Sequence, residues 1–344
     1  SLMSGIVADG ADFRSAYTVN LIPVPKETGL SAGYLRPADG IITLADGSGA
    51  NRGGYRWRGV HYRVMGNSLL SVGSDGLFAT VGTIAGTDWV VFDESFDYLA
   101  INGGGLLYLY DGTTLTQVTD PDLGTSLDMV WINGYFVSTD GAFLISSDIN
   151  DPFSYNILRY ASSEISPDPV VALQKIRNEI YALNRYTVEV FGAVTNPGEG
   201  FPFARIEGAQ IMKGAVGSRA CCEFMQALAF VGGGVNDPPS VWMGASAQAS
   251  KISTRDIDAI LRGYTDVTLS SLVMESRPDL GHEFLYVHLP DQTLVYDGGA
   301  SSALGQPVWH ILKSAAGYRA RGFVWGYGQW NVADPFGTKI GKLT

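Results

Sequence analysis

Three stretches of this 344-residue chain repeat one unit: YRVMGNSLLSVGSDGLFATVGTI (62–84), YLAINGGGLLYLYDGTTLTQVTD (98–120) and MVWINGYFVSTDGAFLISSD (129–148). Each reads as a strand, an Asn-Gly or Gly-rich turn, a second strand, an Asp-Gly turn and a third strand. Two-residue hairpin turns need positive φ, which Gly and Asn adopt at least cost. Looser copies follow at 179–193 continuing to 202–208, at 227–245, at 283–312 and at 318–343. Seven units in this length give about 49 residues each, the size of a propeller blade. The expected fold is all-β: a β-propeller over 1–344 as one domain, with seven blades favoured over six. The stretch IITLADG (41–47) is expected to close the ring beside the last blade.

One segment, 253–276, has helical rather than strand spacing. Ile257, Ile260 and Leu261 share a face, Ser253 with Asp256 fits a capping box, and Gly263 stops the helix. Leu269, Leu272 and Val273 make a second apolar stripe. We read a helical pair inserted in the propeller and covering a hydrophobic edge.

Composition narrows the function. Hydrophobic residues reach 46% and charged residues 17%, enough for a sizeable core. A net charge of −11 disfavours generic attraction to nucleic acid or anionic membranes. Cys221 and Cys222 are neighbours and cannot staple distant segments, which points to free thiols and a reducing cytoplasm. The sequence has no apolar run of 18 residues.

The stretch HEFLYVHLPDQTLVYDG (282–298) holds the densest set of potential ligands. As a strand it puts His282, Phe284, Tyr286 and His288 on one face, with Glu283 opposite. The two histidines are then about 20 Å apart and cannot share a metal. Pro290, Asp291 and Gln292 supply turn chemistry, so the stretch reads as a blade hairpin. His61 and His310 stand alone. Asp93 with Glu94, and Asp148 with Asp151, are expected at turns, and glycoside chemistry needs a carboxylate separation that sequence cannot supply. GSDG (73–76) and STDG (138–141) resemble the Asp-box turns of sialidase-type propellers but lack the trailing Trp. GTKIGKLT (337–344) has too few residues between its glycines for a P-loop, and GGG (103–105) lies in a hairpin. No catalytic, cofactor-binding or metal residue is assigned, and no cofactor is expected.

One cluster runs against the acidic background: Arg52, Arg56, Arg58 and Arg63, within twelve residues. On a strand Arg56 and Arg58 share a face about 6.6 Å apart, with Trp57 opposite. These four form a candidate partner-contact patch for phosphates or carboxylates. The competing reading is a face neutralised by the chain's own acids.

ILRGYT (260–265), VMESRPDLGHEFLYVHLPDQTLVYD (273–297) and Trp309 resemble the packaged-DNA stabilisation proteins, or tail accessory factors, of short-tailed phages and their prophages. DFRSAYTVNLIPVPKE (12–27), SAGYLRPADGI (31–41) and KGAVGSRACCEF (213–224) are similar to the same family in the same order. The resemblance implies a virion tail component, made in the bacterial host cytoplasm. It would join the tail after genome packaging, contact the portal and adaptor ring, the tail needle and in some cases tailspikes, and self-associate in a ring of six. It implies no catalytic residues, no membrane partner and no sequence-specific nucleic-acid contact. Chains of the family run on beyond the position of Thr344.

Two other classes stay open: a propeller glycoside hydrolase acting at the channel mouth, and a non-catalytic glycan- or protein-binding propeller. Three or more carboxylates converging with arginines at the channel mouth would favour the enzyme. Apolar or singly placed polar groups there would favour the structural protein.

Overall fold

The computed structural model describes residues 5–9, 12–26, 33–163, 167–245 and 247–344, with side chains from Tyr17 onward. Apart from two short two-stranded sheets near the start of the chain, its strands form seven antiparallel blades, six of them in sequence order from the innermost strand outward. Blade 1 is Asn51–Trp57, Val60–Met65, Ser68–Val72 and Phe78–Thr83. Blade 2 is Val91–Glu94, Leu99–Gly103, Leu106–Tyr110 and Leu115–Gln117. Blade 3 is Asp128–Ile132, Tyr135–Thr139, Phe143–Asp148 and Asp151–Ser162, and blade 4 is Val170–Ile176, Glu179–Asn184, Val188–Ala193 and Phe203–Arg205. In blade 5, Gly214–Ala215 and Cys221–Phe224 share one partner, Ala227–Gly233, which leads to Ser240–Ala245 and Gln248–Lys251. Blade 6 is Val273–Asp279, His282–His288, Thr293–Asp297 and Trp309–Leu312.

Blade 7 takes Arg321–Gly326, Gln329–Ala333 and Lys339–Leu343 from the end of the chain. Its outermost strand, Ile41–Asp46, comes from the beginning. Leu343 pairs with Ile41 and Lys339 with Asp46, so the ring closes as the sequence predicts. Before that, the chain crosses the edge of blade 6: Val19 bridges Ile311, and Asn20 bonds Ile311 and Lys313.

Strand alternation sends successive side chains to opposite neighbours, so the apolar core divides by blade interface. Leu99 and Ile101 pack toward blade 1 with Val64 and Leu69, while Ala100 packs toward blade 3 with Met129 and Phe136. The apolar clusters thin out at the last two interfaces. Blade 7 meets blade 1 through Met65, Leu70, Val72, Ala333 and Ile340, and meets blade 6 around Phe284 and Tyr286. There the rest of the contact is polar and buried.

The helical segment is shorter than expected. α1 (Arg255–Arg262) and α2 (Asp266–Ser270) end before Val273, which begins the innermost strand of blade 6. The apolar pair Leu272-Val273 fits either period over so few residues, and cross-strand pairing from Val273 to His288 decides it. The cap is Thr254 rather than Ser253: Thr254 accepts the Ile257 N–H, while Ser253 Oγ donates to Asp258 at 2.6 Å and accepts the Val241 N–H. Ile257, Leu261, Leu269 and Leu272 bury against blades 5 and 6. A third helix, α3 (Gly298–Leu304), is capped by Asp297 and stopped by Gly305 at φ 65°.

Candidate functional site at the channel and the ring seam

The innermost strands of the seven blades contact one another around a central channel. A cavity of ≈ 310 Å³ within it is lined by Gly53, Gly54, Tyr55, Gln174, Cys222 and Glu275, among others. It shares Trp89 and Arg219 with a mouth of ≈ 660 Å³ formed by loops of blades 2 to 5, beside Asp88, Asp140 and the glycines 103–105. Several polar groups here are bonded within the wall. Arg219 is paired with Asp128 at 2.8 Å. Asp93 is not at a turn, as expected, but in the inner strand of blade 2. Its Oδ2 accepts the Trp131 N–H of blade 3 at 2.6 Å, and Lys175 of blade 4 donates to both its oxygens at 3.1 Å. Asp148 and Asp151 do flank a turn.

Glu275 is the hub of the seam. Its Oε2 accepts the Gly322 N–H of blade 7 at 2.9 Å and lies 3.0 Å from His288 Nε2, while Oε1 accepts the Phe323 N–H at 3.3 Å. Burial would raise its pKa, but the His288 hydrogen bond, the Gly322 N–H and nearby Arg63 outweigh it and hold the carboxyl below the usual range. His288 Nδ1 faces Thr293 Oγ1 at 2.9 Å. Burial pushes His288 down to about 4, against the pull of Glu275.

The other histidines are equally structural. His282 Nδ1 lies 2.5 Å from Asp297, the residue that caps α3, and stacks on Phe284. His310 meets the edge of the same ring. His61 accepts from Arg63 Nε at 3.2 Å. The sequence places His282 and His288 on one face and excludes a shared metal. It misses their acidic partners, Asp297 and Glu275, because these come from neighbouring strands. Among the described residues, no group of three or more His, Cys, Asp or Glu could hold a metal ion.

The arginine cluster does not form one surface. Arg52 and Arg63 are 3% and 0% exposed. Arg52 donates to the carbonyls of Asp88, Gly66 and Ala85. Arg63 donates to Asn51 Oδ1 at 2.8 Å and to the Gly322 carbonyl at 2.6 Å, joining blade 1 to blade 7. Both are spent on the interior and cannot touch a partner. Arg56 and Arg58 are exposed. Arg58 sits in the turn at φ 46°, over the Trp57 ring rather than opposite it, and donates to the Phe96 carbonyl.

At the opposite end of the channel, the turns joining inner strands in five of the blades hold large residues in the left-handed region. These are Arg58 (46°), Arg177 (56°), Met225 (50°), Leu280 (46°) and Tyr327 (59°). Asn133 (52°) is the residue type such a turn prefers. Leu280 is 91% exposed, and Phe96, in the corresponding loop of blade 2, is 81% exposed. No helix among the described residues is long and apolar enough to cross a membrane.

The family described as bacteriophage P22 Gp10, beta-propeller, matches residues 1–344. The tail hub protein gp10 of Salmonella phage P22 is 30% identical over 367 aligned residues, spanning 99% of this chain and 75% of that protein. Among solved structures, the N-terminal domain of Nup159 superposes with a TM-score of 0.52 at 11% identity, over 95% of this chain and 98% of that one. The Pan2 WD40 domain of Neurospora crassa superposes at 0.51 with 12% identity, over 86% and 89%. These two likenesses concern the fold alone. With its whole length matched and its blades in the order the sequence predicts, the chain belongs to the family of bacteriophage P22 Gp10 β-propellers.

Proposed function

We propose that the protein is a structural component of a phage tail, without catalytic activity of its own. In this reading it closes the channel below the portal after genome packaging, stabilises the packaged DNA and links the adaptor ring to the tail needle. It works as a ring of copies within the virion. The observation that carries the reading is the 30% identity, over 99% of this chain, to a phage tail hub protein.

The channel supports it. The cavity is lined by glycine, aromatic and aliphatic residues with Gln174, Cys221 and Cys222, and its one carboxylate, Glu275, and one guanidinium, Arg219, are each bonded into the wall. The mouth adds Asp88 and Asp140, of which Asp140 accepts the Ala142 and Phe143 N–H groups of its own turn. A glycosidase would need two free carboxylates facing a sugar across the cleft. The net charge of −11 also suits a wall near DNA, since a basic lumen would hold phosphates and impede ejection.

The test is to mix the protein with DNA-filled particles of its phage that lack it. Binding to the portal-vertex end together with slower release of DNA is the expected outcome. Failure to bind would overturn the reading.

A further inference from the structure

The whole net charge of the chain sits in one sector. Residues 91–210, which contain blades 2, 3 and 4, hold sixteen acidic and five basic residues, a surplus equal to the full −11. Outside them acids and bases balance at eighteen each.

Along the outer edge of this sector runs the last strand of blade 3, Asp151–Ser162, twelve residues long beside a partner of six. Tyr155 pairs with Ser147 and Tyr160 with Ile145, so residues 156–159 (NILR) leave the ladder opposite the single residue Ser146. This bulge is held in shape. Asp122 accepts the Ile157 N–H at 3.2 Å, Asn156 Oδ1 accepts the Leu158 N–H at 2.9 Å, and Arg159 pairs with Asp148 and donates to the Glu199 carbonyl. It displays Ile157 at 60% exposure and Leu158 at 73%, followed by Tyr160, which stacks edge-on against Phe143. Bulges commonly blunt sheet edges against unwanted pairing, and charged side chains at the apex would serve that end. Two aliphatic side chains at the apex serve the opposite one.

We propose that this ridge docks another protein, one whose contact face carries an apolar pocket rimmed by lysine and arginine. The proposal rests on the tail-component reading, the partner being another protein of the same particle. Charge decides between occupants. Nucleic acid is repelled by the acidic surplus, and a wall facing an aqueous DNA channel has no use for Ile157 and Leu158. A second copy offers no compensating surplus, since acids and bases outside this sector balance, and several of its exposed bases are already paired internally: Lys339 with Asp46, Lys213 with Asp237, Arg319 with Asp334. A basic partner meets both conditions, drawn in by the sector's field and anchored by the two aliphatic side chains.

The test compares the full chain with Ile157→Ser/Leu158→Ser and with Glu199→Lys. Each is incubated with DNA-filled particles that lack this protein, at about 50 and about 500 mM salt, and the bound protein is measured after sedimentation. The unsubstituted chain should bind about tenfold more weakly at high salt. At low salt the double variant should lose at least about tenfold and Glu199→Lys about threefold. Circular dichroism and the thermal midpoint should not change, because these side chains lie at the surface. A double variant that binds like the unsubstituted chain overturns the proposal and leaves the tail reading standing. An unsubstituted chain that binds at neither salt concentration overturns the tail reading and the proposal with it. Reversible dimerisation abolished by the double substitution, or tight binding of duplex DNA at low salt, assigns the ridge to another occupant and also overturns the proposal.

Discussion

Asp128 and Arg219 form a 2.8 Å ion pair that joins the innermost strand of blade 3 to blade 5 at the mouth of the channel. The same carboxylate accepts the Leu173 N–H of blade 4 at 2.8 Å and that of Met129 at 2.8 Å. One buried side chain thus ties three blades together. Removing one partner of a buried pair leaves the other uncompensated, so Asp128→Ala should cost about 3–5 kcal/mol in urea unfolding. Arg219→Ala should cost somewhat less, because two backbone N–H groups still hold Asp128. The double variant should cost less than the sum of the two.

Stability should fall on mild acidification. Burial holds His288 at about 4 and His310 at about 3, and holds His61 well below 6.5. The unfolded chain therefore binds these protons first. Their contribution is complete above about pH 6.5 and is lost as the pH falls toward 4, on the order of 3 kcal/mol for His288 alone. The lowered Glu275 carboxyl adds a contribution present above its unfolded value and lost as the pH falls through its folded one. Thermal midpoints measured from pH 7.5 to 4 should show the decline. His310→Phe should flatten it, since His310 Nδ1 has no partner among the described residues and the ring mainly packs on Phe284.

The blade pattern was legible where strands pack on both faces. Most repeat units in the sequence begin at the second strand of a blade rather than the first, and the innermost strands explain why. NRGGYRW, VFDE and VMESRPD mix glycine, arginine and carboxylates because they line the channel and carry the inter-blade bonds, which breaks the apolar alternation. α3 is hard to read from the sequence for a related reason. Its Asp297 cap and Gly305 stop are readable signals, but GGASSAL places two glycines and two serines in a seven-residue helix, against propensity. The arginine cluster misled because basic residues close in sequence suggest a surface. Strand alternation and the bulge between Asn51 and Gly54 turn Arg52 and Arg63 inward, onto carbonyls supplied by distant segments.

The ring should depend on its closing strand. Starting the chain at Gly47 removes Ile41–Asp46 and leaves the Lys339–Leu343 edge unpaired. It also removes Asp39, which bonds Arg277 at 2.6 Å. The thermal midpoint should drop by at least about 10 °C, or the protein should aggregate. A synthetic peptide of residues 36–47, added during refolding, should recover part of the loss by pairing with the open edge.

Gly217 of blade 5 packs directly against the end of α2. A Cβ there would lie 2.0 Å from the Ser270 carbonyl oxygen, a backbone atom that can yield only if the helix moves. Gly217→Ala should destabilise by about 1–3 kcal/mol. Amide hydrogen exchange should show the added mobility in 266–272 first.

Leu280 should be replaceable with a gain in stability. It occupies the left-handed region at φ 46° and is 91% exposed, so it bears the steric cost of that conformation with almost no burial in return. Asn fits the same turn, as Asn133 does in blade 3 at φ 52°. Leu280→Asn should therefore raise stability by about 1 kcal/mol in urea unfolding. Tyr327 makes the instructive contrast. It has φ 59°, yet its hydroxyl donates to the Val72 carbonyl at 2.9 Å and accepts the His61 N–H, crossing from blade 7 to blade 1. Tyr327→Asn relieves the same strain and severs that link, so it should destabilise. If both substitutions stabilise, the cross-blade hydroxyl contributes nothing to ring closure; if neither does, the left-handed turns carry no strain.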